Sequence, residues 1–156
     1  ITAFYNVLVD SDDMNEPITD AVRGILDGHI VLSRKLAQAY HYPAIDVLAS
    51  ISRLSKRVSG KMTQKACAKI RTLMATYQNN EAAIVSGIYA KGNSPAIDEA
   101  IDMHQPIEEF LTQEEYEPSS MKETLDKLAS LSGVEIPETE YVEAPALVVN
   151  EPVENE

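Results

Sequence analysis

From residue 61 the stretch KMTQKACAKIRTLMATYQ places Met62, Ala66, Ile70, Leu73 and Tyr77 at successive spacings of four, four, three and four. A strand would alternate at every second residue, so this period of about 3.6 dictates a helix with one apolar stripe and lysines and an arginine on its far side. Such a stripe needs partners, and the following sequence supplies them. NEAAIVSGIYA reads as a second helix and KGNS as a turn. SPAIDEAIDMH opens a further helix, with Ser94 as cap and Pro95 at the first helical position. QPIEEFLTQ and SSMKETLDKLASL continue the theme, and the short connections imply a compact antiparallel helical array. Cys67 falls within the first of these helices with no histidine in register, which makes it an inert buried thiol.

The chain before residue 59 has a different character. ITAFYNVLV is nearly continuous in apolar and β-branched residues, as in a strand buried on both faces of a parallel sheet. DSDDMNEP breaks it as a loop. In the helical segment that follows, Thr19 or Asp20 can cap, and Val22, Ile25 and Leu26 share a face. Asp27-Gly28 stops it, HIVLS reads as a short strand, and RKLAQAY gives a helical turn or two running into a Tyr42-Pro43 turn. At the other end, residues 133–156 carry seven Glu, three Pro and no basic residue, the composition of a disordered acidic tail. The expected organisation is an α/β edge over residues 1–58, a helical module over 59–131 and the acidic tail over 132–156.

Charge follows the same division. Residues 1–97 hold 11 basic and 8 acidic side chains, whereas residues 98–156 hold 2 and 17. The acidic half repels phosphate backbones and argues against nucleic-acid binding. No run of 18 apolar residues offers a membrane span. No signal sequence opens the chain, and a single cysteine fits a reducing cytoplasm. Closely spaced acids in SDDMNEP can in principle ligate calcium or magnesium, but the twelve-residue calcium-loop pattern is absent. His29 reads as a packed strand-edge residue and His41 and His104 as turn residues. None has metal-ligand spacing, so no metal site is expected. An Ile start inside an apparent strand reads as a piece of a longer protein.

DDMNEPITDAVRGILDGHIVLSR followed by HYPAIDVLASISR resembles the second half of the catalytic domain of the rotary-type hexameric ATPases. That family includes the flagellum-specific export ATPase, the type III secretion ATPases of injectisomes and the β subunit of the F-type ATP synthase. The wording is nearest to the flagellar branch. The resemblance runs from residue 1 to about residue 113 and is most specific over residues 11–53. It implies the C-terminal edge of a P-loop (RecA-like) parallel-sheet domain followed by an all-helical module. ATP and Mg2+ are implied as well, both held mainly by residues upstream. The GxxxxGKT phosphate loop, the magnesium-side Asp and the water-activating Glu of the family are absent from these residues, so the fragment alone is expected to be inactive.

By this resemblance Arg53 matches the arginine finger that reaches the nucleotide of the adjacent protomer. A planar guanidinium suits the charge that builds on phosphate oxygens during transfer. The plain alternative is a surface arginine in an ion pair. Tyr42 matches the residue that packs against adenine, its ring face beside a rigid proline; otherwise it caps a hydrophobic edge. Asp46 pins the turn through backbone amides, and Arg34 reads as a structural or subunit-interface arginine. Asp13, Asn15 and Glu16 match the loop that touches the central stalk. The implied partners are a homohexamer, the stalk, the export gate and chaperone–substrate complexes, at the cytoplasmic face of a membrane. The alternatives are an injectisome ATPase, an F-type subunit, or a helical interaction module without nucleotide chemistry.

Overall fold

The computed structural model describes residues 5–9 and 17–141. The chain divides into two compact units, Ile1–Val58 and Ser59–Glu156.

In the first unit, residues 5–9 run without regular structure, with Tyr5 and Leu8 exposed. The strand expected there does not form, because among the described residues no strand lies beside it to take its backbone hydrogen bonds. Helix α1 (Pro17–Ile25) opens on a proline, whose missing N–H costs nothing in a first turn. It therefore begins ahead of Thr19 and Asp20. Thr19 is buried inside the helix instead of capping it, and Asp20 lies in the first turn, where the helix dipole favours an acid. Strand β1 (Gly28–Leu32) pairs antiparallel with β2 (Ile45–Ser52). Between them lie helix α2 (Arg34–Gln38), capped by Ser33, and a turn with a cis Tyr42–Pro43 peptide. Helix α3 (Ser55–Val58) closes the unit.

The β1–β2 ladder changes register once. Gly28 faces Ser52 and His29 faces Ile51, but Val31 faces Asp46 and Leu32 faces Ile45. Side chains fill the irregularity. Ser50 Oγ accepts from the Val31 N–H at 3.0 Å and donates to the Asp46 carbonyl at 2.6 Å. The Asp46 carboxylate accepts from the Ala49 N–H at 2.9 Å, the backbone-pinning role expected of it.

The second unit is built around α4 (Lys61–Val85), one helix of 25 residues. The second helix expected from Asn80 is its continuation: with no turn chemistry between Gln78 and Asn80, the first break comes at Ser86 and at Gly87, whose φ is 72°. Helix α5 (Pro95–Leu111) likewise runs through Pro106 without ending. His104 is thus helical and not in a turn. It stacks on Tyr77 of α4, with centroids 3.6 Å apart. Helix α6 (Met121–Ser132) completes the set. Ala66, Ile70 and Leu73 of α4, Ala100 and Ile107 of α5, and Leu125 and Leu128 of α6 form one core. Each fully buried Leu or Ile contributes roughly 1.5–3 kcal/mol. Cys67 lies outside this core on the exposed side of α4, one residue off the stripe.

Residues 133–141 do not behave as the tail expected from 132. Gly133 takes the left-handed conformation that ends α6, and the chain then packs Ile136, 5% exposed, into the helical core. A short 3-10 turn, Glu138–Glu140, follows. The Glu140 carboxylate accepts from the Met62 N–H at 3.0 Å, and from the Thr63 N–H and hydroxyl, both at 2.8 Å. Composition suggested solvation; one isoleucine and one well-aimed glutamate outweigh it.

Two predictions follow from the caps. Ser120 and Glu123 exchange hydrogen bonds reciprocally at the start of α6. Ser120→Ala should cost about 1 kcal/mol, read as a lower denaturation midpoint; an unchanged midpoint would show the box to be dispensable. Three carboxylates also sit below their ordinary range: Glu123 through the Ser120 N–H, Asp126 through Lys122, and Glu140 through the Thr63 and Met62 N–H groups. A depressed folded-state pKa means that the unfolded chain binds protons first. The stability from these groups is therefore complete above the ordinary carboxylate range and drains as pH falls through about 4 and below. Melting scans from pH 7 to pH 2 should show this, and a midpoint flat through that window would refute it.

Candidate functional site

Arg53 follows directly on β2. Its backbone N–H donates to the Asp27 carbonyl at 2.8 Å, extending the ladder by one rung. Its guanidinium is exposed and reaches back to the last turn of α1, donating through Nη2 to the Arg23 carbonyl at 3.3 Å and through Nη1 to the Gly24 carbonyl at 3.5 Å. The carbonyls at a helix C-terminus have no intrahelical partners and carry the negative end of its dipole, which is why a cation settles there. The ion pair of the plain reading is replaced by two long hydrogen bonds to backbone oxygen.

That arrangement depends on Gly28. A Cβ at this position would stand 2.7 Å from the Ile51 carbonyl oxygen and 3.2 Å from the Ser52 Cα. Only glycine lets β1 approach β2 closely enough for the Asp27–Arg53 rung beside it. The sequence reading took Gly28 only as a helix stop; the signal for its second role was its place at the head of a strand.

Tyr42 stands at the other end of β2, half exposed, its ring edge-on to Tyr40 at 6.3 Å between centroids. The two candidate residues are therefore not one cluster. Facing the two ends of the five-residue β1, the ends of β2 stand apart by a distance on the order of 13 Å at ~3.3 Å per residue. Arg34 begins α2, away from both ends of this strand in sequence. Asp13, Asn15 and Glu16 lie outside the described residues. Buried polar atoms without a hydrogen-bond partner occur at Thr19 Oγ1 and His29 Nε2. No group of acids, histidines and cysteines able to hold a metal ion occurs among the described residues. Cys67, expected to be buried, is exposed; desolvation pushes its thiol up, with the Arg71 charge opposing.

Residues 1–52 match the nucleotide-binding domain of the ATP synthase alpha/beta family, and residues 60–130 match the T3SS EscN ATPase C-terminal domain. A flagellum-specific ATP synthase of Bacillus subtilis is 53% identical over 135 residues, covering 86% of this chain and 31% of the relative. A type 3 secretion system ATPase of Pseudomonas syringae is 48% identical over 138 residues, covering 88% and 30%. The assembled ATPase EscN from the type III secretion system of enteropathogenic E. coli superposes with a TM-score of 0.78 at 42% identity, over 81% of this chain and 31% of that one. EscN in complex with its central stalk EscO gives a TM-score of 0.71 at 41% identity, over 74% and 29%. The chain thus spans about three-tenths of the length of the relatives it matches. The fold expected from the sequence, an ATPase-domain edge followed by a helical C-terminal module, is the one observed.

Gly28→Ala should push β1 off β2 at the Arg53 end and cost about 1–3 kcal/mol, as forced overpacking does. A denaturant midpoint within error of the parent would show that the strands can part without penalty.

Proposed function

Since the chain belongs to the flagellum-specific and type III secretion ATPases of the ATP synthase alpha/beta family, we propose that it is part of a hexameric ATPase that drives protein export, most closely the flagellar one. In this reading ATP is hydrolysed at the interfaces between protomers. One protomer supplies the phosphate loop, the magnesium ligands and Tyr42 against adenine; its neighbour supplies Arg53. The residues 1–58 alone lack the phosphate-binding part and do not turn over. Asp13, Asn15 and Glu16 meet a central stalk, and the helical module, residues 59–131, faces the export gate and chaperone–substrate complexes at the cytoplasmic side of the membrane. The injectisome ATPases remain the second reading, favoured by the 48% identity to the Pseudomonas enzyme.

The observation that carries this proposal is the state of Arg53: exposed, at a strand end, and engaged by long hydrogen bonds to carbonyls. Such bonds exchange readily for charge-assisted bonds to phosphate oxygens, which are shorter and roughly twice as strong. The residues fit the nucleotide in a second way. Tyr42 and Arg53 sit at opposite ends of β2, as two half-sites for two different nucleotides require. Bound ATP and Mg2+ supply the phosphoryl group and its charge-neutralising cation; the described residues supply orientation and charge.

In the full-length protein, Arg53→Ala should lower kcat by about 10³-fold or more while nucleotide binding stays near the parent value. Mixed with an inactive phosphate-loop lysine variant, it should recover part of the activity through hybrid interfaces. Assembled mixed rings without recovery would exclude a finger acting in trans.

A further inference from the structure

Helix α4 has no cap of its own. Its N-cap is Gly60, with no side chain to accept from the first-turn N–H groups. A Cβ on Gly60 would fall 2.0 Å from the Glu140 Cδ, so glycine at 60 is what makes room for a carboxylate arriving from elsewhere. Glu140 then does what an N-cap side chain does, through both oxygens, on Met62 and Thr63. Next to it the Tyr141 hydroxyl donates to Asp126 Oδ1 at 2.7 Å, while Lys122 pairs with Asp126 Oδ2 at 2.9 Å and lies 5.4 Å from the Tyr141 ring centre. Ile136 is the one residue of this segment sunk fully into the helical core. Residues 133–141 therefore leave the end of α6, return along it to Asp126 and Lys122, and finish on the first turn of α4. All of this lies beyond residue 130, where the family match ends.

We propose that residues 133–141 form a releasable strap whose seating decides whether the first turn of α4 is folded. Seated, the strap completes the helix from Lys61. Released, it leaves the Met62 and Thr63 N–H groups of α4 without their protein acceptor, and that turn frays. The strap thus controls the folding of the turn that opens the helical unit. Ile136, the Glu140 carboxylate and the Tyr141 hydroxyl hold it, fewer anchors than the buried side chains that join α4, α5 and α6, so it opens more easily than the three-helix core.

Hydrogen–deuterium exchange on the full-length protein tests this. Glu140→Ala removes the cap without touching the core and should speed exchange at Met62 and Thr63 by about tenfold, leaving Ala100–Ile107 and Leu125–Leu128 as in the parent. Ile136→Ala should speed the same residues by unseating the strap, and Lys127→Ala, on exposed α6 surface, should change nothing there. Unchanged exchange at Met62 and Thr63 in Glu140→Ala overturns the proposal. So does an equal rise throughout α5 and α6, which would make the segment an inseparable part of the core. If Ile136→Ala fails to fold, Glu140→Ala alone decides.

Discussion

The burial of one stripe on α4 organises the second unit. Ala66, Ile70 and Leu73 are flanked by half-buried Met62 and Tyr77, so apolar surface runs along most of the helix and has to be covered along that length. Helices α5 and α6 cover it, and the stacked pair Tyr77–His104 shows the same demand met by an aromatic face. Small residues matter here as much as large ones. Ala66 and Ala100 are essentially inaccessible, which lets the helices approach closely where they touch the core.

How far the sequence could be read depended on whether a signal was local. The α4 stripe and the Ser94-Pro95 start are local patterns, and the helices they announce are present. Asp46 was also legible, because an Asp after a Pro turn finds its own backbone. Helix ends were less so: residues 80–85 look like a fresh start only when the continuity of the hydrogen-bond ladder is invisible. Of the strand expected over residues 1–9, the described part, residues 5–9, is not a strand, and for a different reason. A doubly buried strand is defined by its neighbours, and composition alone does not provide them. Ile136 and Glu140 were missed because their partners stand far away along the chain, and an acidic context concealed the one acid with a fixed destination.

The candidate site shows the same division. The motif ending in Arg53 was readable as a whole, and so was Tyr42. What could not be read was that the guanidinium rests on the end of α1, or that Gly28 is the reason the strands come close enough beside it. Both facts depend on the pairing of Gly28 with Ser52, a partner 24 residues away along the chain that leaves no mark in local spacing. Three-dimensional placement thus turns an arginine at the end of an apolar run into a cation resting on weak carbonyl acceptors.

The distance in sequence between Glu140 and the N–H groups it satisfies, 78 residues to Met62 and 77 to Thr63, bears on how the chain is made. A ribosome emits the start of α4 long before it emits its cap. The helix therefore begins life with an open end, and the last piece of the helical unit to be synthesised is the one that finishes the first. Folding of this unit from its N-terminus cannot be complete until the segment after α6 has cleared the exit tunnel. Vectorial synthesis and the order of structural completion run in opposite directions here.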